Sequence, residues 1–234
     1  MKNTAFAQGL WEESSTQKEC LGMLRIEPDG RKFRYAYASE ALAVGKMSFM
    51  ATAESNHVDC AVAAAAIGDT EIAVTVGATA VTADMYKDGF LHVNDGTGQG
   101  HQYLIDTCTA CDASGVTYVT LKECIRVALV ASSTSEVTLV RNPWGYVSQS
   151  TTEESGSAGI PLFGITSAYY FWIQTGGSAI CLGSDSSGVG TMLSHDATEG
   201  ALAAAADYVK GYVGFSWFTD QVSTEYKPVY LTID

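Results

Sequence analysis

Cys108 and Cys111 stand with two residues between them, a spacing that lets one loop turn two thiolates onto a zinc ion or close a redox disulfide. A structural zinc site needs further ligands, and only Cys124, His101 and His92 lie near in the sequence. A redox pair belongs at a strand-to-helix corner, and no helical period flanks these residues. Free thiols are the favoured reading; metal and redox roles stay open. Gly96, Gly98 and Gly100 repeat like a phosphate-cradling loop. Such a loop must lead into a helix whose N-terminus receives the phosphate. Gln102–Ile105 alternates like a strand instead, so the glycines read as a hairpin loop. His57, His92, His101 and His195 are scattered, with no nucleophile elbow and no paired-histidine metal motif. His195-Asp196, beside Glu199, reads as an exposed loop histidine. None of the 26 carboxylates has a spacing that singles out an acid/base pair. The expectation is no enzyme: no catalytic residue, no cofactor and no metal.

The elements that would position any site are short strands. Glu27-Pro28-Asp29-Gly30 is a turn in which Pro presets φ and Gly accepts a positive φ. It joins Met23–Ile26 to Phe33–Tyr37, where aromatic residues alternate with Arg34 and Ala36. Lys46–Thr52, Glu71–Val76, Ala80–Ala83, Phe90–Val93, Gln102–Ile105, Val116–Leu121 and Glu136–Val140 follow as strands, separated by Gly/Asp turn clusters. Later strands are expected at Pro161–Thr166, Tyr169–Thr175, Ser178–Leu182, Tyr208–Trp217 and Tyr226–Ile233, with Pro228 marking the last as an edge. Thr198–Ala206, rich in alanine, is the one expected helix. The fold class is mainly β: antiparallel sandwich or barrel units, one short Ala-rich helix and an extended N-terminal arm. The divisions drawn are an arm at 1–24 and a β-rich domain at 25–147 with a compact unit at about 67–141. A flexible loop at 148–159 then leads to a β-rich domain, or second half of the same sandwich, at 160–234.

The chain has 234 residues, 47% of them hydrophobic and 17% charged, and a net charge of −13. That composition suits a folded β protein rather than a disordered acidic tail. So few cations argue against a nucleic-acid grip, and no apolar run is long enough to span a membrane as a helix. Ala5-Phe6-Ala7 mimics a cleavage box but lacks a preceding apolar run, so no export signal is expected and the six cysteines are expected to stay reduced. Nearly all the negative charge falls after residue 50, and the one basic cluster is Arg31, Lys32 and Arg34. It reads either as a solvated hairpin or as a contact for an acidic partner. Phe6, Leu10 and Trp11 lie in a polar stretch without period, suggesting an arm that docks on its own domain or a neighbour's. Tyr169–Trp172 would place aromatics on both faces of a strand, which then needs cover on both. Tyr170 and Trp172 are the candidates for a subunit contact, with cover within the chain as the alternative.

Gly30–Ala36, Gly89–Ile105 and Tyr169–Thr175 resemble stretches of the head decoration, or cement, proteins of tailed bacteriophages. The resemblance rests on structural glycines and aromatics. It implies a β-rich virion protein on the capsid surface, made in the host cytoplasm, homotrimeric, with the major capsid protein as partner and no catalytic residues to carry over. Phe6, Leu10, Trp11, Arg31, Lys32 and Arg34 would be capsid or neighbour contacts. The alternative is a β-sandwich module that binds carbohydrate through exposed aromatics.

Overall fold

The structure, a computed structural model, describes residues 6–131, 135–149, 156–196, 198–205, 211–218 and 224–234. These residues form fifteen strands and one 3-10 turn at Ser55–His57, with no α-helix among them. Two compact units divide the chain: residues 52–142, and residues 1–51 together with 143–234. The first is an insertion into the second. Its entry and exit are adjacent, because the Ala51 N–H donates to the Pro143 carbonyl at 3.1 Å.

The host unit opens with β1 (Leu24–Ile26), β2 (Lys32–Tyr37) and β3 (Ser48–Phe49). The expected Pro-Asp-Gly turn joins β1 to β2, with Gly30 at φ +87° and its N–H donating to the Glu27 carbonyl. The insertion carries β4 (Cys60–Val62), β5 (Glu71–Thr75), β6 (Phe90–Gly96), β7 (Gln102–Cys108), β8 (Val116–Leu121) and β9 (Ser135–Val140). They close as an antiparallel barrel in the order β4-β5-β8-β7-β6-β9. Alternation explains the barrel. Ile72 and Val74, Leu91 and Val93, Tyr103 and Ile105, Val119 and Leu121, and Val137 and Leu139 point inward from their strands. Closure pairs every strand on both sides and leaves no free edge. A register shift between Ile105 and Thr107 carries β7 beyond its expected end and turns Cys108 inward. Ala80–Ala83, expected as a strand, contributes only a bridge between Val81 and Cys111.

The host unit resumes with β10 (Ser157–Pro161), β11 (Tyr170–Leu182), β12 (Met192–His195), β13 (Leu202–Ala204), β14 (Gly214–Ser216) and β15 (Tyr226–Thr232). Of the segment expected as a loop, residues 150–155 lie outside the described residues, and Ser157–Gly159 belong to β10. The sheet runs β1-β2-β11-β15-β14-β12-β13, with β10 pairing β11 and β3. β11 is a single strand of 13 residues where two were expected: its pairing with β2 shifts register between Gln174 and Gly176, and Gly177, at φ +83°, continues into an unbroken ladder with β15. Its first half pairs with β2 and its second with β15. A parallel bridge between Leu202 and Gly183 brings β13 back to the end of β11. The strands thereby curl around Phe49, Cys181, Leu193, Leu202, Val229 and Leu231.

Two sequence expectations fail here for physical reasons. The Thr198–Ala206 helix is instead a turn at residues 198–200 followed by β13, with Ala206 outside the described residues. Gly200 at φ +68° breaks any helical course, and pairing with β12 while burying Ala201 and Leu202 outweighs alanine's weak helical preference. Pro228 does not mark an edge, since β15 lies between β11 and β14. Pairing with β14 ends at Ser216 opposite Val229, so the N–H that Pro228 lacks would fall just past the ladder.

Candidate functional site

The arm folds onto its own unit. Gln8 is buried; its side-chain amide donates to the Glu12 and Tyr170 carbonyls and its oxygen accepts from the Tyr35 hydroxyl at 2.6 Å. The Trp172 indole N–H donates to the Gln8 carbonyl at 3.1 Å. Phe6 meets Trp172 edge-on at 5.0 Å, and Arg25 lies over both rings. Leu10 is buried with Phe33, Tyr35 and Trp172, while Trp11 is 63% exposed and leans on Phe163. Trp172 is fully buried within its own chain, so it offers no surface to a subunit. Phe171 and Ile173 are covered on the opposite face by Ala36, Leu42 and Ile165. Both faces of the aromatic strand are therefore satisfied internally. Tyr170, half-buried, stacks on Tyr35 at 6.0 Å.

The basic cluster is answered within the chain too. Arg31 pairs with Asp29 at 2.7 Å. Arg34 forks onto both carboxylate oxygens of Asp234 at 2.8 and 2.9 Å, and Lys32 donates to the Asp234 carbonyl. The Arg34 guanidinium holds the Asp234 carboxyl below its usual range. Each of the three cations thus has an oxygen partner within its own chain.

The motifs with potential chemistry are dispersed. Cys108 is buried in the barrel and Cys111 half-buried in the bridge to Val81; all six cysteines are free thiols. Burial pushes the Cys60 and Cys108 thiols up, and Cys181 up to about 12, away from the reactive thiolate. Among the described residues no group of three or more His, Cys, Asp or Glu side chains is placed to hold a metal ion. His57 is buried; its Nε2 donates to the Thr79 carbonyl and its Nδ1 meets the Tyr86 hydroxyl. His195 corrects the sequence reading. It is buried on β12 and meets Phe49 edge-on at 5.2 Å, because β12 extends to this residue and turns it toward the core.

The feature that sequence reasoning missed is the outward face of the host sheet. Ser178 and Ile180 of β11 stand opposite Tyr230 and Pro228 of β15, and Tyr230 stands opposite Phe215 of β14. Phe215 in turn faces Met192 of β12. The Phe215 and Tyr230 rings stack at 5.2 Å and 17°, and Trp217 meets Tyr230 edge-on at 5.8 Å. Gly214 makes this stack possible. A Cβ at that position would lie 2.0 Å from the Tyr230 carbonyl oxygen, so only glycine lets β14 approach β15 here. The outward positions Ser178, Ile180, Met192, Phe215, Tyr226, Pro228, Tyr230 and Thr232 include no charged residue.

No family model, curated protein or solved structure matches this chain. What the site can do is therefore read from its own chemistry. Apolar and aromatic groups held in a stacked ladder offer contact area at small ordering cost.

Proposed function

We propose that the chain is a virion structural protein that decorates and stabilises the outside of a tailed-bacteriophage capsid, with the major capsid protein as its partner, and that it is not an enzyme. It would be made in the host cytoplasm and act on the particle surface. The reading rests on the resemblance carried by residues 30–36, 89–105 and 169–175. The observation that carries it furthest is the uncharged aromatic face of the host sheet, a contact surface rather than a reaction site. Trp11 is a second exposed aromatic available for a capsid contact. The resemblance implies a trimer, whose order light scattering would read. Cosedimentation of the purified chain with capsids, and a raised capsid melting temperature in its presence, are the expected results. No cosedimentation and an unchanged melting temperature would refute the reading.

The same exposed rings favour a second reading, a carbohydrate-binding or adhesion module in which sugar rings stack on Trp217, Tyr230 or Phe215. Sugar titration monitored by tryptophan fluorescence separates the two. Saturable quenching without capsid binding would select the sugar reading.

A further inference from the structure

We infer that the outward face of β11, β15, β14 and β12 is a self-association surface that packs against the same face of a second copy about a two-fold axis. The inference deepens the proposed function by naming a partner for its contact surface, but it is tested on the purified chain alone.

Charge is the first argument for a second copy. Each chain carries a net charge of −13, so two copies repel wherever carboxylates meet. This face has no charged side chain at its outward strand positions, so two copies can approach through it without opposing carboxylates. Area is the second. Ile180, Met192, Phe215, Trp217, Tyr226 and Tyr230 are each between 37% and 54% exposed. A large aromatic side chain offers about 150–250 Å² in all, so six half-exposed side chains supply about 500–600 Å² per copy. Two copies then bury about 1,000–1,200 Å², at the threshold for a specific interface. Preorganisation is the third: the stacked Phe215 and Tyr230 and the edge-on Trp217 already hold one another in place, so little side-chain freedom is lost on contact.

The geometry also sets the symmetry. A sheet face laid on its own copy is isologous and closes as a pair. This differs from the trimer that the resemblance implies, which would need a second, distinct surface.

The test is sedimentation equilibrium of the full chain over a concentration series. The wild-type chain should dimerise with a Kd on the order of micromolar, as expected of an interface at the small end of the specific range. Trp217→Ser removes a central anchor and should raise Kd about tenfold or more. Ile180→Glu sets two like charges against each other across the axis and should give a monomer. Tyr118→Ser alters an exposed tyrosine on the outside of the barrel and should leave Kd unchanged. Far-UV circular dichroism and thermal melting establish that each variant is folded. Should Trp217→Ser or Ile180→Glu fail to fold, concentration-dependent amide protection of residues 226–232 in the wild-type chain decides instead: protection rising with concentration supports the pairing, and constant protection overturns it. A wild-type monomer at the highest soluble concentration overturns the inference, as does association untouched by both face variants. So does a monomer that binds lipid vesicles or a glycan through this face. Capsid cosedimentation of the same proteins is scored separately. A monomeric chain that still binds capsids sinks the pairing and leaves the decoration reading standing, and a dimer that ignores capsids does the reverse.

Discussion

Lys227 sits on the inward side of β15, opposite Cys181, with 4% of its surface exposed and, among the described residues, no hydrogen-bond partner for its Nζ. Its stem fills the space beside Gly183, where a Cβ would come within 2.4 Å of it. Burying an amine head without an acceptor beside it costs stability. Lys227→Met keeps the stem's volume and removes the charge, so it should stabilise the chain by about 1–3 kcal/mol. A urea transition with an unchanged or lower midpoint would refute this. Tyr35 supplies a prediction about pH. Burial pushes its phenol from 10.0 up to about 12, and Cys181 moves in the same direction from 9.0 to about 12. Both groups are neutral when protonated, and the folded chain holds their protons to higher pH than the unfolded chain. Their contribution is therefore complete below about pH 9 and is lost as pH rises toward about 12. Stability should fall steadily above about pH 9, and more gently in Tyr35→Phe. A flat stability curve through that window is the contrary result.

At the scale of elements, the arm is a cover rather than a free tether. Deleting residues 1–20 removes Gln8 and Leu10 and uncovers Trp172, Tyr35 and Phe33. Each large apolar side chain returned to water costs about 1.5–3 kcal/mol, so the truncated host unit should lose several kcal/mol of stability. Guanidinium unfolding followed by tryptophan fluorescence measures it, and an unchanged midpoint would show the arm to be dispensable. The barrel strands were legible in the sequence because Ile72/Val74, Val119/Leu121 and Val137/Leu139 alternate with polar or small neighbours. The aromatic face was not legible, because the pattern on β15 misleads. Tyr226, Pro228 and Tyr230 alternate with Lys227, Val229 and Leu231, and the set that holds the lysine points inward. The lysine blurs an alternation that Val229 and Leu231 would otherwise make plain. Similarly, the alanines of β13 speak for a helix until the register with β12 and the positive φ of Gly200 are known. Strands as short as β3, β13 and β14 exist because neighbours pair with them, and no window of three residues announces that.

On the scale of the molecule, a closed barrel with its own core is inserted where the host chain is almost in contact with itself, at Ala51 and Pro143. Domains joined through adjacent ends can be separated without pulling either apart. Residues 52–142 expressed alone should therefore fold to a cooperative β unit. The host unit, with 51 joined to 143 by a short Gly/Ser turn, should keep its own transition and the pairing predicted for its outward face. Calorimetry of both pieces checks this; a barrel fragment that melts without cooperativity would mean that it depends on its host.

The insertion also sets an order of events during synthesis. β2 leaves the ribosome long before β11, its main partner, because the whole barrel is made between them. At about 5–20 residues per second, translation from the end of β2 to the end of β11 takes roughly 7–30 s. All-β units fold in roughly milliseconds to seconds, so the interval is long enough for the barrel to close while Phe33 and Tyr35 still have no strand beside them on the β11 side. The nascent chain thus carries a finished domain and, upstream of it, an unpaired aromatic ribbon, the kind of segment that chaperones hold until its partner emerges.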